Sequence, residues 1–331
     1  MKLKLSIGLM DNPRTRPIFD GRVQPDGIDL IPSDVFASEL FWRELKFEDF
    51  DLAEMSMSTL MMAVAAGRVG EPGRFVGIPV FTTRKFFHTE ILVRRGAKID
   101  GPSDLKGKRV GVPEYQQTAA LWARGALEHE WGVAARDMEW WMERTPTHSH
   151  RGAVGFEPPA GVVIKQVPAD KSLGSMMLAG EIDATVHYIR RTNLVDRSTI
   201  DLANHRDIKP IFPDPLAEGV RYFKSTGLFP INHGMVIKRA LAEQHPWVVL
   251  NVLKAFNAAN DIAERERLEH AQYHVAAGLV SEEALRAPLV RHGVKANRLV
   301  LETAAQYSQE QGLTPRRVKL EELFAPQVLE Q

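Results

Sequence analysis

Residues 105–127, LKGKRVGVPEYQQTAALWARGAL, set a short strand-like run, Arg109 to Val112, directly ahead of Pro113 and a polar turn, and only then begin a helix. A strand feeding a helix through a short turn is the building unit of a parallel α/β sheet. The helical periodicity starts at Thr118, and a threonine N-cap there leaves the N–H groups of Ala119, Ala120 and Leu121 without partners. Orphan donors and the positive end of the helix dipole together attract carboxylates and phosphates. The plainer alternative is that residues 114–118 only connect strand to helix.

The same alternation extends in both directions. Upstream, residues 3–10, 28–31, 51–55 and 75–80 read as strands. Residues 35–46, opened by Ser33 or Asp34, and residues 58–66 read as helices between them. Downstream, EILVRR, MEWWME, VVIKQVP and DATVHY continue the strand pattern, with a helix over residues 172–179. HTEILVRRG, beginning at His88, and HGMVIKRAL, beginning at His233, share a plan: a histidine, a strand and a basic pair. These features predict a chain that leaves one lobe, builds a second and returns through a matching segment. Residues 1–88 and 208–331 then form lobe I and residues 89–207 an inserted lobe II. The C-terminal third carries apolar residues at helical spacing and is expected to complete lobe I. A cleft between the lobes would face strand C-termini and helix N-termini.

Composition narrows the function. The length of 331 residues suits two lobes. Lys plus Arg and Asp plus Glu number 42 each, so no net field favours nucleic acid or an anionic membrane, and a small-molecule partner is expected. No cysteine is present, which excludes disulfides, thiolate catalysis and cysteine-ligated metals. Nowhere does the chain offer the roughly 18 apolar residues of a membrane-spanning helix. The N-terminal MKLKLSIGLM alternates like a strand and lacks the apolar core of a signal peptide, so a cytoplasmic location is expected. No GxGxxG or phosphate-loop spacing occurs, and no HExxH. The pairs His148/His150 and His270/His274 each lack a third ligand and are expected to be solvated; no cofactor is called for, with metal assistance left open.

Four stretches carry a resemblance: PVFTTRKFFHTEILVRRG, the 105–127 segment, PPAGVVIKQVPADKSLGSMMLAGEIDA, and IKPIFPDP followed by GLFPINHGMVIKR. They cover most of residues 79–238. The chain resembles the two-lobe, type 2 periplasmic-binding-protein fold of α/β class with a helical C-terminal region. Within it, the chain is similar to the 4,5-dihydroxyphthalate decarboxylase family. It departs from the family pattern in the histidine-bearing loop at residues 143–159 and again at residues 188–196.

That resemblance implies a decarboxylase acting on a hydroxylated aromatic carboxylate. Direct loss of CO2 would leave an aryl anion, so the carbon bearing the carboxylate is protonated first, helped by a deprotonated para hydroxyl. Histidine suits both proton steps and arginine suits the carboxylates. His88 and His233 are the expected proton-transfer pair, and Arg84 the leading carboxylate clamp, with Arg14 and Arg16 as further candidates. Ser56 and Ser58, and Gln117 and Thr118, would bond ligand oxygens. The turn from Glu114 would form one wall of an anion site, with Tyr115 stacking on the ring or bonding a hydroxyl. A non-catalytic solute-binding protein for a small carboxylate, and a different lyase such as the dehydratases of menaquinone biosynthesis, are the alternatives. A homo-oligomer is compatible with either.

Overall fold

The computed structural model describes residues 2–66, 73–150, 154–287 and 290–331. The chain opens with β1 (Leu3–Leu9), β2 (Ile28–Asp34), α1 (Ala37–Phe47), β3 (Leu52–Ser56), α2 (Met57–Ala66) and β4 (Phe75–Arg84). It crosses to a second sheet with β5 (Leu92–Arg94), β6 (Arg109–Val112), α3 (Thr118–Trp131), β7 (Glu139–Met142), β8 (Val163–Gln166), α4 (Leu173–Leu178), β9 (Ala184–Thr185) and β10 (Ile208–Pro210). It returns through α5 (Pro215–Thr226) and β11 (Ile231–Lys238), then closes with α6 (Pro246–Ala276), α7 (Arg298–Glu310) and shorter turns.

The first sheet has the order β2-β1-β3-β11-β4 and the second β10-β5-β9-β6-β7-β8. Sheet membership therefore changes twice, between Arg84 and Leu92 and between Pro210 and Ile231. β1, β2 and β3 run parallel, while β11 runs antiparallel to both β3 and β4. As a result the start of β11 lies beside the C-terminal ends of β3 and β4: His233 is opposite Ser56 on one side and Thr83 on the other. The β11–β4 register is irregular on both sides of His233. Such bulges re-aim a side chain next to a site.

Local chemistry explains the departures from the sequence reading. Ser33 and Asp34 do not open α1, because β2 continues through them in register with Gly8 and Leu9. Gln117 rather than Thr118 is the cap residue of α3, and Thr118 is its first helical residue. The helix is buried on every side from Thr118 to Leu127, the pattern of an internal helix, and ends at Gly132 with φ 63. A β-carbon at Gly125 would sit 2.1 Å from the Tyr307 ring, so glycine lets α7 lie against α3. α7 also packs on α2, so it touches helices that follow strands of both sheets. Met61, Met62, Met176 and Met177 are buried core residues.

Candidate active site

The C-terminal ends of β3 and β4 and the N-termini of α1 and α3 surround a cavity of about 400 Å³. Ala37 and Ser38 bring the first turn of α1 to it, and Thr118 and Ala119 the first turn of α3. First-turn N–H groups have no partner within their own helix, so two positive helix ends face one space. Its apolar wall includes Phe36, Phe41, Phe87 and Ile189.

On the floor, β3 places Glu54 and Ser56 two residues apart, on one face of the sheet. Glu54 is fully buried, and its Oε1 accepts the Nδ1–H of His233 at 2.8 Å and the Thr82 hydroxyl at 2.5 Å. Its Oε2 accepts the Met10 N–H at 3.0 Å. Burial alone would push this carboxyl up, but the bonds from His233, Thr82 and Met10 hold it below the ordinary range. Asn232 Nδ2 donates to Nε2 of His233 at 2.7 Å, which puts the imidazole lone pair on Nε2. The Phe41 ring meets the imidazole edge-on at 4.8 Å.

Ser56, Gln117 and Thr118 line the cavity as the sequence suggests. Thr118 joins the two sheets: its hydroxyl lies 2.7 Å from Ser56 Oγ and accepts the Ser58 N–H at 2.8 Å. Ser58 lies just beneath, its hydroxyl donating to the Gln116 carbonyl.

Several expected residues stand elsewhere. His88 is buried behind the wall, its Nε2 3.2 Å from Glu218 and its ring among Trp131, Phe212 and Tyr222. Burial pushes it down to about 4, and it is not among the residues that line the cavity, unlike His233. Arg84 turns to the C-terminal region, bonding the Phe229 and Arg291 carbonyls and Asn297 Oδ1, while its neighbours Thr83 and Lys85 line the cavity. Arg14 donates to the Thr82 carbonyl and Arg16 pairs with Asp11; both open onto a separate groove beside α6. Tyr115 is core, beneath Arg124 at 3.8 Å and against Trp140.

Glu114 likewise faces inward. It accepts bonds from Gln116, Ser149, the His150 N–H and Arg144. Against the opposing effect of burial, the neighbouring His150 and Arg144 side chains and the Ser149 bond hold its carboxylate below the ordinary range. Arg144 bridges it, at 2.8 Å, to Asp196 at 2.9 Å, and Asp196 reaches the Ser38 hydroxyl at the start of α1. His150, expected to be solvated, is buried beside Glu114. His270 and His274 are exposed on α6. Among the described residues no cluster of three His, Asp or Glu side chains is arranged to hold a metal ion.

The loops that depart from the family pattern both end here, with Arg144 and His150 from one and Tyr188, Arg190 and Arg191 from the other. Lys85 pairs with Glu90, Arg144 with Glu114 and Asp196, and Arg190 with Asp201. Among the described residues Arg191 has no carboxylate partner, and it lies 4.2 Å over the Phe36 ring. A cation at the mouth, two helix ends, and a carboxylate-held histidine suit a small aromatic anion.

Across 99% of its length and 98% of the relative's, the chain is 32% identical to 4,5-dihydroxyphthalate decarboxylase of Comamonas testosteroni. The chain belongs to this decarboxylase family. Over 56% of the chain it is also 37% identical to 4,5-dihydroxyphthalate decarboxylase of Pseudomonas putida, covering 70% of that protein. No family model matches. In fold it is similar to the alkanesulfonate-binding protein SsuA of Xanthomonas axonopodis pv. citri bound to MOPS, with TM-score 0.57, 16% identity, and 97% and 98% of the two chains covered. It is also similar to the desulfurization enzyme DSZB, with TM-score 0.53, 15% identity, and 99% and 98% covered. The decarboxylase thus has the two-lobe binding-protein fold, and its kinship with enzymes favours a carbon–carbon lyase over a solute carrier.

Proposed function

We propose that this decarboxylase removes one carboxyl group from 4,5-dihydroxyphthalate, or a close hydroxylated aromatic dicarboxylate, within the cavity between its sheets. That would make it a step in the breakdown of phthalates. The observation that carries this reading is the buried Glu54 carboxylate holding His233, with the imidazole lone pair directed away from it, in a cavity that also receives two helix N-termini.

In this reading the helix ends and Arg191 hold the carboxylates, and Phe41 and Phe87 flank the ring. His233 Nε2 exchanges its Asn232 bond for the hydroxyl para to the departing carboxylate and takes its proton. Glu54 stabilises the imidazolium that results, as a buried carboxylate does for a catalytic histidine. The test is to incubate the purified chain with 4,5-dihydroxyphthalate and follow protocatechuate and CO2. Formation of both in equal amounts is expected; binding without product would leave a carrier.

A further inference from the structure

The chemistry needs a second proton-transfer group, because the hydroxyl loses a proton at one end of the ring while the carbon at the other end gains one. With His88 enclosed, that group must come from elsewhere in the cavity wall. His187 follows β9 in the second sheet and lines the cavity. Its Nδ1 lies 3.0 Å from Oε2 of Glu90, in the segment that carries the chain between the sheets. Glu90 also pairs with Lys85, and its carboxyl stays below the ordinary range despite burial, through His187 and then Lys85. The Phe87 ring meets the imidazole edge-on at 5.3 Å and fixes its plane.

The cavity is therefore lined by two histidines, each held from behind by a carboxylate: His233 by Glu54 within the first sheet, and His187, just past β9, by Glu90 of the segment between the sheets. They differ at the far nitrogen. Nε2 of His233 accepts from Asn232, whereas Nε2 of His187 has no hydrogen-bond partner among the described residues. His187 is also one of three non-glycine residues with a left-handed backbone among those described, at φ 52. That conformation costs about 1–2 kcal/mol in a residue with a β-carbon, and strain of this kind collects at functional sites. Arg190 and Arg191, a few residues on, belong to the same wall.

Resting on the decarboxylase reading above, we infer that His187 is the general acid that protonates the ring carbon, with Glu90 and Lys85 holding it in place. His233 takes the hydroxyl proton, and the oxygen electron pair moves through the ring to the carbon bearing the carboxylate. That carbon forms its C–H bond with the proton on Nε2 of His187. The bond to the carboxylate then breaks, its electron pair restores the aromatic ring, and CO2 leaves. His233 returns its proton to the oxygen, and His187 is reprotonated by water. One proton is consumed for each CO2 released, and no oxidant or reductant is needed. The base lies on a strand of the first sheet and the acid just beyond β9 of the second, and both line the same cavity.

The left-handed backbone supplies a clean test, because His187→Gly fits φ 52 without strain and leaves a space shaped for imidazole. The variant is expected to bind 4,5-dihydroxyphthalate within a few-fold of wild type, by calorimetry, and to lose about 10² to 10⁴ in kcat. Added imidazole should restore turnover in this variant and leave His233→Gln unchanged. Wild-type kcat in His187→Gly, with the wild type active, overturns this inference alone. Loss of binding together with loss of activity, unrelieved by imidazole, also overturns it, since that is the signature of a structural residue. Absence of turnover by the wild-type chain overturns both this inference and the functional reading beneath it.

Discussion

The carboxylate of Glu54 and the imidazole of His233, 179 residues apart in the chain, meet at 2.8 Å on neighbouring antiparallel strands. Because Glu54 is held ionised by its bonds, it can accept only a proton-bearing Nδ1, and this fixes the reactive lone pair at Nε2. Glu54→Gln removes the charge and permits the opposite tautomer. The expected result is a fall of about 10² to 10⁴ in kcat with KM changed by only a few-fold. Steady-state kinetics would decide it, and an unchanged kcat would show that Glu54 does not orient the base.

Arg191 is the next testable contact, since it lacks a carboxylate partner among the described residues and lies over Phe36. A hydrogen bond to a charged group contributes about 1.5–3 kcal/mol, so Arg191→Gln should raise KM for the dicarboxylate about 10- to 150-fold. Being exposed, the substitution should shift unfolding free energy by less than about 0.5 kcal/mol. Substrate titration and a denaturant melt on the same preparation separate the effects, and an unchanged KM would remove Arg191 from the carboxylate site.

The strand and helix alternation was legible in the sequence, as was the start of α3 near Thr118. The segments at His88 and His233 look alike in sequence, yet His88 sits in a turn before its strand and His233 within one. Which residue of each segment faces the cavity was not legible. At the end of β4, Thr83 and Lys85 line the cavity and Arg84 between them turns away, as the two-residue period of a strand requires. Sequence supplies the period, while the choice of face depends on where β11 pairs. A lone acid inside the apolar strand LAEMS was a signal for Glu54, since an unpaired buried carboxylate would be costly. Arg144 offered no comparable signal, because its partners Glu114 and Asp196 lie in distant loops.

That arginine should prove structural. Arg144 is buried between two buried carboxylates, one of which reaches the start of α1. Arg144→Met leaves Glu114 and Asp196 uncompensated, which costs about 3–5 kcal/mol. Chemical denaturation should show that loss, and adding Glu114→Gln and Asp196→Asn should recover part of it. A single variant as stable as wild type would mean that water already reaches the network.

His88 gives the opposite expectation from the one its position in the sequence suggests. It is enclosed by aromatic rings and does not line the cavity, so His88→Gln should keep kcat/KM within about threefold of wild type. Its effect should appear in acid stability. Burial lowers the folded pKa to about 4 from an unfolded value of 6.5, so between those limits the unfolded chain binds more protons. Stability therefore rises with pH across that window: the contribution is complete above about 6.5 and is lost as pH falls towards 4, by about 3 kcal/mol. His292 is buried with the same direction of shift and adds its own loss, so the comparison must be between wild type and variant. Urea melts from pH 7 to pH 4 should fall less steeply for His88→Gln, and identical slopes would mean that His88 is already protonated in the folded chain.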